Sequence, residues 1–190
     1  MESFEDKLAR VLGESIDVVA YDPSWPSIYE AEADRLAAFF PPGSIRRVEH
    51  IGSTAVPGMA AKPIIDILVG VDEFDFVVAD VAPAMEAAGY DCFMRPAIGN
   101  EGPRYPWFIG RDEDGKRISH VHVVLASDES QWERVLFRDR LRVCPDVARS
   151  YSELKRDLAN RFSDDREAYT LAKSEFITRE TAIARQASRA

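Results

Sequence analysis

Hydrophobic and polar residues at the start of the chain follow a helical pattern. Residues 1–12 place apolar side chains three or four positions apart, which predicts a short amphipathic helix within an N-terminal extension, residues 1–16. After a turn at residues 22–26, a second helical pattern continues until the Pro-Pro-Gly run at residues 41–43 ends it. The chain is therefore predicted to begin with two helices.

Extended segments dominate the middle of the chain. Alternation predicts strands at residues 45–51 and 64–69, and the second starts after Pro63 because proline has no N–H to donate to a sheet. Three further strands are predicted, at residues 90–95, 105–109 and 118–125. The pair Asp114-Gly115 between the last two strands is typical of a hairpin turn.

Helical patterns lie between these strands and after them. Residues 72–89 are expected to form one helix whose regular part starts late because of Pro83 and which stops at Gly89. From residue 128 onward three helices are expected, and the last starts at a capping box of Asp164 and Glu167. This order of elements predicts an α+β domain with a helical C-terminal third.

The composition restricts the possible functions. With 190 residues, 46% of them hydrophobic, the chain can bury the core of one domain, assigned to residues 17–186. A net charge of −9 disfavours a nucleic acid partner, although the locally basic segment from Arg134 to Arg161 suits a small anionic ligand. Cys92 and Cys144 suit a reducing compartment, and no leader or membrane-spanning apolar run is recognisable. We therefore expect a cytoplasmic protein without a membrane partner, and the oligomeric state stays open.

Asp66 interrupts an otherwise apolar strand. Alternation places its carboxylate on the same face as Ile64 and Leu68. An isolated charge on such a face would be costly, so the carboxylate must pair with a cation, bind a metal, accept several hydrogen bonds or face a cleft. A structural ion pair and a functional site are both compatible with this pattern.

Two histidines form a second polar pattern on an apolar strand. His120 and His122 share one face, because alternate residues of a strand point to the same side. Their rings should lie about 6 to 7 Å apart, close enough to hold one metal ion or to border one pocket. The alternative is that each ring only forms hydrogen bonds within a polar face of the sheet.

Several residues could bind an anion. Gly52-Ser53 follows a strand directly, where exposed N–H groups and the Ser53 hydroxyl could hold phosphate oxygens, although the same pair also serves ordinary turns. Lys155 and Lys173 lie within apolar helix stripes, so their ammonium groups either extend past the edge of the core or point into a cleft. Arg138 on the preceding helix could add to the same positive field.

Taken together, these motifs resemble the GrpB-like family over about residues 17 to 180. The segments that carry the resemblance are Tyr21-Asp22-Pro23 with Trp25-Pro26, HIGSTAVPG at residues 50–58, KPIIDI at 62–67, HVHV at 120–123, Phe137-Arg138-Asp139, and Tyr151 with Leu154-Lys155. The resemblance implies a nucleotidyltransferase-like fold, with a mixed β-sheet and flanking helices. It also implies that a glycine-serine turn precedes a strand bearing metal-binding carboxylates.

This sequence departs from the superfamily pattern in its carboxylates. A second acid is usual two positions after the first, and here that position is Leu68. His120 and His122 stand where a third carboxylate is expected. Imidazole ligands shift the preference from Mg²⁺ toward transition metals, so one divalent ion of uncertain identity (Zn, Mn or Mg) on Asp66, His120 and His122 is more plausible than a pair of Mg²⁺ ions.

From these residues and the implied fold we predict a metal-dependent nucleotidyl- or phosphoryl-transferase-like enzyme that acts on a small anionic or phosphorylated molecule, such as a nucleotide. Asp66 would be the central acid, with His50 or Glu49 as a general base. Phosphate would be bound by Gly52, Ser53, Lys62, Arg138, Lys155 and Lys173. The alternative is a non-catalytic domain that keeps the fold and binds a nucleotide, a metabolite or a partner protein.

Overall fold

A computed structural model describes residues 4–14, 17–95 and 104–188. Its helices are α1 (Phe4–Gly13), α2 (Trp25–Ala37), α3 (Ala82–Ala87), α4 (Glu129–Val143), α5 (Pro145–Arg161), α6 (Arg166–Ala172) and α7 (Ser174–Ala187). Its strands are β1 (Ile45–Ile51), β2 (Ile65–Val71), β3 (Asp91–Arg95), β4 (Tyr105–Arg111) and β5 (Arg117–Leu125). The α+β class and the helical C-terminal third are confirmed.

The strands form one mixed sheet in the order β1-β2-β5-β4-β3. The central strands β2 and β5 run parallel, whereas the other neighbouring pairs are antiparallel. In the β2–β5 register Asp66 lies beside His120, and Leu68 lies beside His122. The acid and the two histidines therefore emerge from adjacent strands on the same face of the sheet.

The two faces of the sheet pack against different helices. On one face Ile67 and Val121 join a core with Leu36 of α2 and Met85 of α3. On the other face Leu68 and Val124 pack with Val135 of α4. A separate cluster joins Val56 and Met59 to residues of α4 and α5. The C-terminal helices thus cover the face that carries Asp66.

The predicted helix at residues 72–89 is irregular at its start. A π-helical turn, Val77–Val81, leads into the short helix α3. Pro83 has no N–H to donate, which interrupts the regular hydrogen-bond ladder here. Gly89 ends the helix in the left-handed region with φ of 92°, as expected for a residue following a helix C-cap.

The prediction of one last helix capped by Asp164 is wrong. The cap is Asp165, whose carboxylate accepts a hydrogen bond from the N–H of Ala168 at 2.9 Å, three residues further on. Asp164 instead accepts a hydrogen bond from the hydroxyl of Ser163. Lys173 then separates α6 from α7. The break lets Tyr169 of α6 bury its ring against Leu158.

Helix α1 contacts the sheet at strands β3 and β4. Val11 packs with Phe93 and Ile109, and the guanidinium of Arg10 donates two hydrogen bonds to the carboxylate of Asp91, at 2.8 and 3.1 Å. The division into an extension at residues 1–16 and a domain at 17–186 stays a prediction. Within the described residues, none of the helices is both long enough and apolar enough to cross a bilayer.

We predict that Gly70→Ala destabilises the packing of α4 on the sheet. A Cβ at Gly70 would lie 2.6 Å from Cζ2 of Trp132, so the indole, which also donates a hydrogen bond of 3.2 Å to the carbonyl of Ala126, would have to shift. The expected loss in unfolding free energy, measured in urea, is about 1 to 3 kcal/mol. In the control Gly13→Ala the new methyl meets no atom within 4 Å, so stability should stay within about 0.5 kcal/mol. Equal stability of the two variants would contradict this packing.

Candidate functional site at the ends of β2 and β5

Asp66 is the acid at the centre of the site. Its Oδ1 accepts a hydrogen bond of 2.8 Å from Nδ1 of His120, and 29% of its side chain is exposed. Burial by itself would raise the pKa of Asp66, but the hydrogen bond from His120 and the positive charge of Lys62 and Lys173 lower it below its usual value. Asp66 is therefore ionised at neutral pH.

His120 uses both ring nitrogens in hydrogen bonds. Nε2 lies 3.2 Å from a guanidinium nitrogen of Arg117, which can only donate, so the ring proton is on Nδ1 and points to Asp66. Burial lowers the pKa of His120 to about 4, even though Asp66 opposes this shift. The ring is therefore neutral at pH 7.

His122 belongs to a second chain of hydrogen bonds. Its Nδ1 lies 3.1 Å from the hydroxyl of Tyr105, and that hydroxyl accepts a hydrogen bond of 3.0 Å from Arg134. Burial, followed by the charges of Arg134 and Arg95, holds the pKa of His122 well below its usual value. This ring too is neutral.

The three residues predicted to bind metal come together. One potential ligand atom from each of Asp66, His120 and His122 lies within 4.8 Å of the others. We call these residues the Asp66 cluster. One carboxylate and two neutral imidazoles form a donor set that fits a single transition-metal ion, although His120 would have to release Arg117 or Asp66 to become a ligand. Metal binding stays a prediction.

The glycine of the Gly52-Ser53 turn lets the chain pass close to Asp66. Gly52 has φ of 73°, and a Cβ there would overlap Oδ2 of Asp66 and lie 3.1 Å from its Cγ. Only glycine meets both requirements without strain. Ser53 starts a short 3₁₀ helix directly after this contact.

Lys155 anchors this turn from helix α5. Its side chain is buried, and its ammonium donates hydrogen bonds to Oγ of Ser53, at 2.8 Å, and to the carbonyl of Ala60. Burial, followed by the nearby charges of Arg156 and Lys62, lowers the pKa of Lys155 to about 7. Lys155 therefore positions Ser53, and its contribution to a bound phosphate stays a prediction.

Lys62 and Lys173 bring positive charge to the same place. Their ammonium nitrogens lie 5.4 and 4.1 Å from the centre of the Tyr169 ring, within cation–π range. Burial and the charges of Lys62 and Lys155 lower the pKa of Lys173 to about 7. Lys62, Lys155 and Lys173 are called the lysine group, and each of them interacts electrostatically with the carboxylate of Asp66.

Three other candidate residues lie elsewhere. His50 points to the opposite face of the sheet, where its ring stacks on Tyr29 at 4.5 Å and its Nε2 lies 3.0 Å from the hydroxyl of Thr54. Glu49 shares the face of Asp66 but forms an ion pair of 2.6 Å with Arg138. Arg138 also donates to the carbonyl of His50, so this pair fixes α4 to β1. The Asp66 cluster does not include any of the three.

Tyr105, Arg117 and Arg134 contribute to the site but were not predicted from the sequence. Tyr105 lies on β4, the neighbour of β5, and strand order cannot be read from one sequence. Arg117 is three residues before His120 on the same strand, and so pleating alone would place it on the opposite face. The sequence carried no clear signal for any of them.

A separate open cleft of about 460 Å³ lies where residues 17–18 meet helix α5. Arg156, Asn160 and Ser163 contribute to its lining. None of its lining residues belongs to the Asp66 cluster or to the lysine group. The cleft and the candidate site are therefore distinct features.

The mixed sheet with flanking helices defines an α+β protein in which a glycine-serine turn lies beside a strand carboxylate. The profile of the GrpB protein family matches residues 15–182. The chain therefore belongs to the GrpB family, as the sequence motifs indicated. The crystal structure of GrpB from Enterococcus faecalis supports this, with a TM-score of 0.77, 34% identity, and coverage of 92% of this chain and 100% of that one.

Two relatives show how the chain compares in length. A UPF0157 protein of Pseudomonas aeruginosa is 42% identical over 167 residues, which are 86% of this chain and 65% of that protein. A dephospho-CoA kinase of Mycolicibacterium paratuberculosis is 30% identical over 177 residues, which are 83% of this chain and 43% of the enzyme. The chain thus spans less than two thirds of either relative.

We predict that Gly52→Ala costs more stability than Gly58→Ala. Both glycines have positive φ, 73° and 75°, so both variants should lose stability from backbone strain, and Gly52, with ψ of −171°, lies in a region that is essentially restricted to glycine and should lose more. Only the methyl at residue 52 would also displace Asp66, because nothing lies within 4 Å of a Cβ at residue 58. The expected additional loss, measured by urea unfolding, is about 1 to 3 kcal/mol. Equal losses would contradict the close approach of the turn to Asp66.

We also predict that His50 makes the fold sensitive to acid. Burial lowers the pKa of His50 from 6.5 to about 4, so between these values the unfolded chain binds a proton that the native chain does not. Stability should therefore fall as the pH decreases from 6.5 to 4, by an amount on the order of 3 kcal/mol from this group. Unfolding of His50→Asn at several pH values should show a shallower decline, and parallel curves would contradict the prediction.

Proposed function

We propose that this chain is a nucleotidyltransferase-like enzyme that binds a small phosphorylated or otherwise anionic molecule at the Asp66 cluster and transfers its phosphoryl or nucleotidyl group. The observation that carries the proposal is the local reversal of charge. The chain has a net charge of −9, yet Lys62 and Lys173 lower the pKa of Asp66, and Asp66 in turn favours the protonated forms of Lys155 and Lys173, whose pKa values burial lowers to about 7. An anionic ligand would balance the positive charge of these lysines.

The residues around the cluster have separable roles in this proposal. Lys62 and Lys173 would neutralise the phosphate, and the turn at Gly52-Ser53 would offer its hydroxyl and backbone N–H groups. Such donors stabilise charge that develops on phosphoryl oxygens during transfer. Lys155 would hold Ser53 in position through their hydrogen bond.

A divalent ion, Zn, Mn or Mg, is part of the proposal. Asp66, His120 and His122 would hold it, since their ligand atoms are within 4.8 Å of one another. The chemistry supplied by such an ion is polarisation of a phosphoryl oxygen. Because the lysine group repels a free cation, we expect the ion to bind better together with an anionic ligand than alone.

The relative named as a dephospho-CoA kinase suggests which anions to test first. Its name describes phosphoryl transfer to a nucleotide-like molecule, and the chain aligns with 43% of it. Nucleotides are therefore the first class of ligand that we propose. The acidic chain makes a nucleic acid a poorer candidate than a small molecule.

A second candidate function is favoured by the hydrogen bonds of His120. Both of its ring nitrogens already have partners, Asp66 and Arg117, without any ligand. A site of this kind can bind an anion without catalysing a reaction on it. The second proposal is therefore a non-catalytic domain that binds a nucleotide or another metabolite.

We predict that nucleotides raise the melting temperature of the purified protein and that Lys173→Met abolishes most of this shift. Lys116→Met removes an equal charge from an exposed hairpin and should leave the shift unchanged. Turnover of the nucleotide would be followed by phosphorus NMR in the presence of each divalent ion. The metal content of wild type and of Asp66→Asn would be measured by elemental analysis.

The outcomes separate the two candidates. Turnover that is lost in Asp66→Asn, together with a metal that is lost in the same variant, supports the enzyme. Nucleotide binding without turnover or metal supports the binding domain. If no nucleotide and no divalent ion changes the melting temperature of the protein, and the phosphorus NMR spectra of the nucleotides stay unchanged, both proposals are wrong.

A further inference from the structure

The hydrogen-bond partners of His122 determine which of its nitrogens can meet a ligand. The Tyr105 hydroxyl accepts a hydrogen bond from Arg134 at 3.0 Å and lies 3.1 Å from Nδ1 of His122. A guanidinium donates in every protonation state found in proteins, so Arg134 always uses one lone pair of the Tyr105 oxygen. The direction of the second bond then depends on the proton of Tyr105.

Nδ1 of His122 is the suitable acceptor for the phenolic proton of Tyr105 in this chain of contacts. Tyr105 is buried, and a buried hydroxyl that does not donate loses a hydrogen bond that it would form in water. If Tyr105 donates to Nδ1, that nitrogen must be unprotonated. A ring whose Nδ1 is unprotonated carries its hydrogen on Nε2.

From this arrangement the geometry points to a specific role for the pair Arg134–Tyr105: it holds His122 as an Nε2–H donor that hydrogen-bonds an oxygen of the anionic ligand. The inference rests on the proposed anion site and adds its recognition chemistry, and it removes His122 from the residues that would hold the divalent ion. Tyr105 and Arg134 are positioning residues, because they act on the ligand through His122.

The same tautomer is unfavourable for a metal ion. A metal binds the lone pair of an unprotonated nitrogen, and Nε2 offers none while it carries hydrogen. Metal binding at Nε2 would require the proton to move to Nδ1, where it would face the oxygen of Tyr105 and leave the phenolic proton without its acceptor. In the resting protein His122 therefore acts as a donor to ligand oxygens.

His120 supports this interpretation with the opposite tautomer. Arg117 donates to its Nε2, so its proton lies on Nδ1 and points to Asp66. Each histidine is thus oriented by one arginine, directly for His120 and through Tyr105 for His122. The two rings, with centres 6.3 Å apart, have fixed and different hydrogen-bonding roles.

The test combines nitrogen NMR of the histidine side chains with binding of inorganic pyrophosphate. In wild type we expect the His122 proton on Nε2. In Tyr105→Phe the ring should lose this preference. Because only rings with the proton on Nε2 can donate to the ligand, the dissociation constant for pyrophosphate should rise about twofold for an even mixture of tautomers. If Tyr105→Phe does not fold, Arg134→Met provides the second variant, since without Arg134 the Tyr105 oxygen can accept the proton of Nδ1.

Tyr90→Phe is the matched control. It also removes a buried phenolic hydrogen bond, of 2.8 Å to Glu32, but on the opposite face of the sheet. Neither the His122 tautomer nor pyrophosphate binding should change in this variant. A loss of pyrophosphate binding equal to that of Tyr105→Phe would show that the effect is general destabilisation, and would overturn the inference.

A titration with Zn²⁺ alone distinguishes donor from metal ligand. If Tyr105 instead oriented a metal ligand, Tyr105→Phe would weaken Zn²⁺ binding about 10- to 100-fold. The inference expects Zn²⁺ to bind this variant at least as tightly as wild type, and weaker binding would overturn it.

The inference and the proposed function can fail separately. If wild type carries the His122 proton on Nε2 but does not bind pyrophosphate, the proposed anion site is wrong and the tautomer assignment stands. If pyrophosphate binds but the proton is on Nδ1, the role of Arg134 and Tyr105 is wrong and the anion site stands.

Discussion

The hydrogen bond between Asp66 and His120 is the interaction on which the rest of the site depends. It spans the parallel pair β2–β5, the central strands of the sheet, and its length of 2.8 Å follows from the register that sets the two residues side by side. This bond compensates for placing a charge on an apolar strand. It also fixes the tautomer of His120 and leaves Oδ2 of Asp66 facing the turn at Gly52.

Two sets of basic residues lie around this bond, the lysine group and a pair of arginines. The lysine group supplies positive charge, and the ammonium groups of Lys62 and Lys173 lie against the ring of Tyr169. Two arginines, Arg117 and Arg134, act instead through hydrogen bonds to the histidine pair. In the proposed function the lysine group would attract an anion, and the two arginines would set which imidazole nitrogens carry protons.

Much of the site could be predicted from local patterns. Alternation placed Asp66, His120 and His122 correctly, because the face of a residue within one strand depends only on its position along that strand. The same rule places His50 and Asp66 on opposite faces once their strands are paired. The sequence could not give that pairing. His50 and Glu49 were predicted as general bases only because they directly precede the turn at Gly52-Ser53 in the sequence.

The sequence by itself determined the α+β class, most of the elements, the family and the three residues that form the Asp66 cluster. Hydrophobic periodicity and short motifs carry this information, since both are local properties of the chain. Only the tertiary structure decided that Lys155 anchors Ser53, that Arg138 is bound to Glu49, and that Arg134, Tyr105 and His122 form a chain of hydrogen bonds. Each of these contacts joins side chains far apart in sequence, and the physical reason is that strand order and helix packing, rather than spacing along the chain, determine which polar groups can satisfy one another.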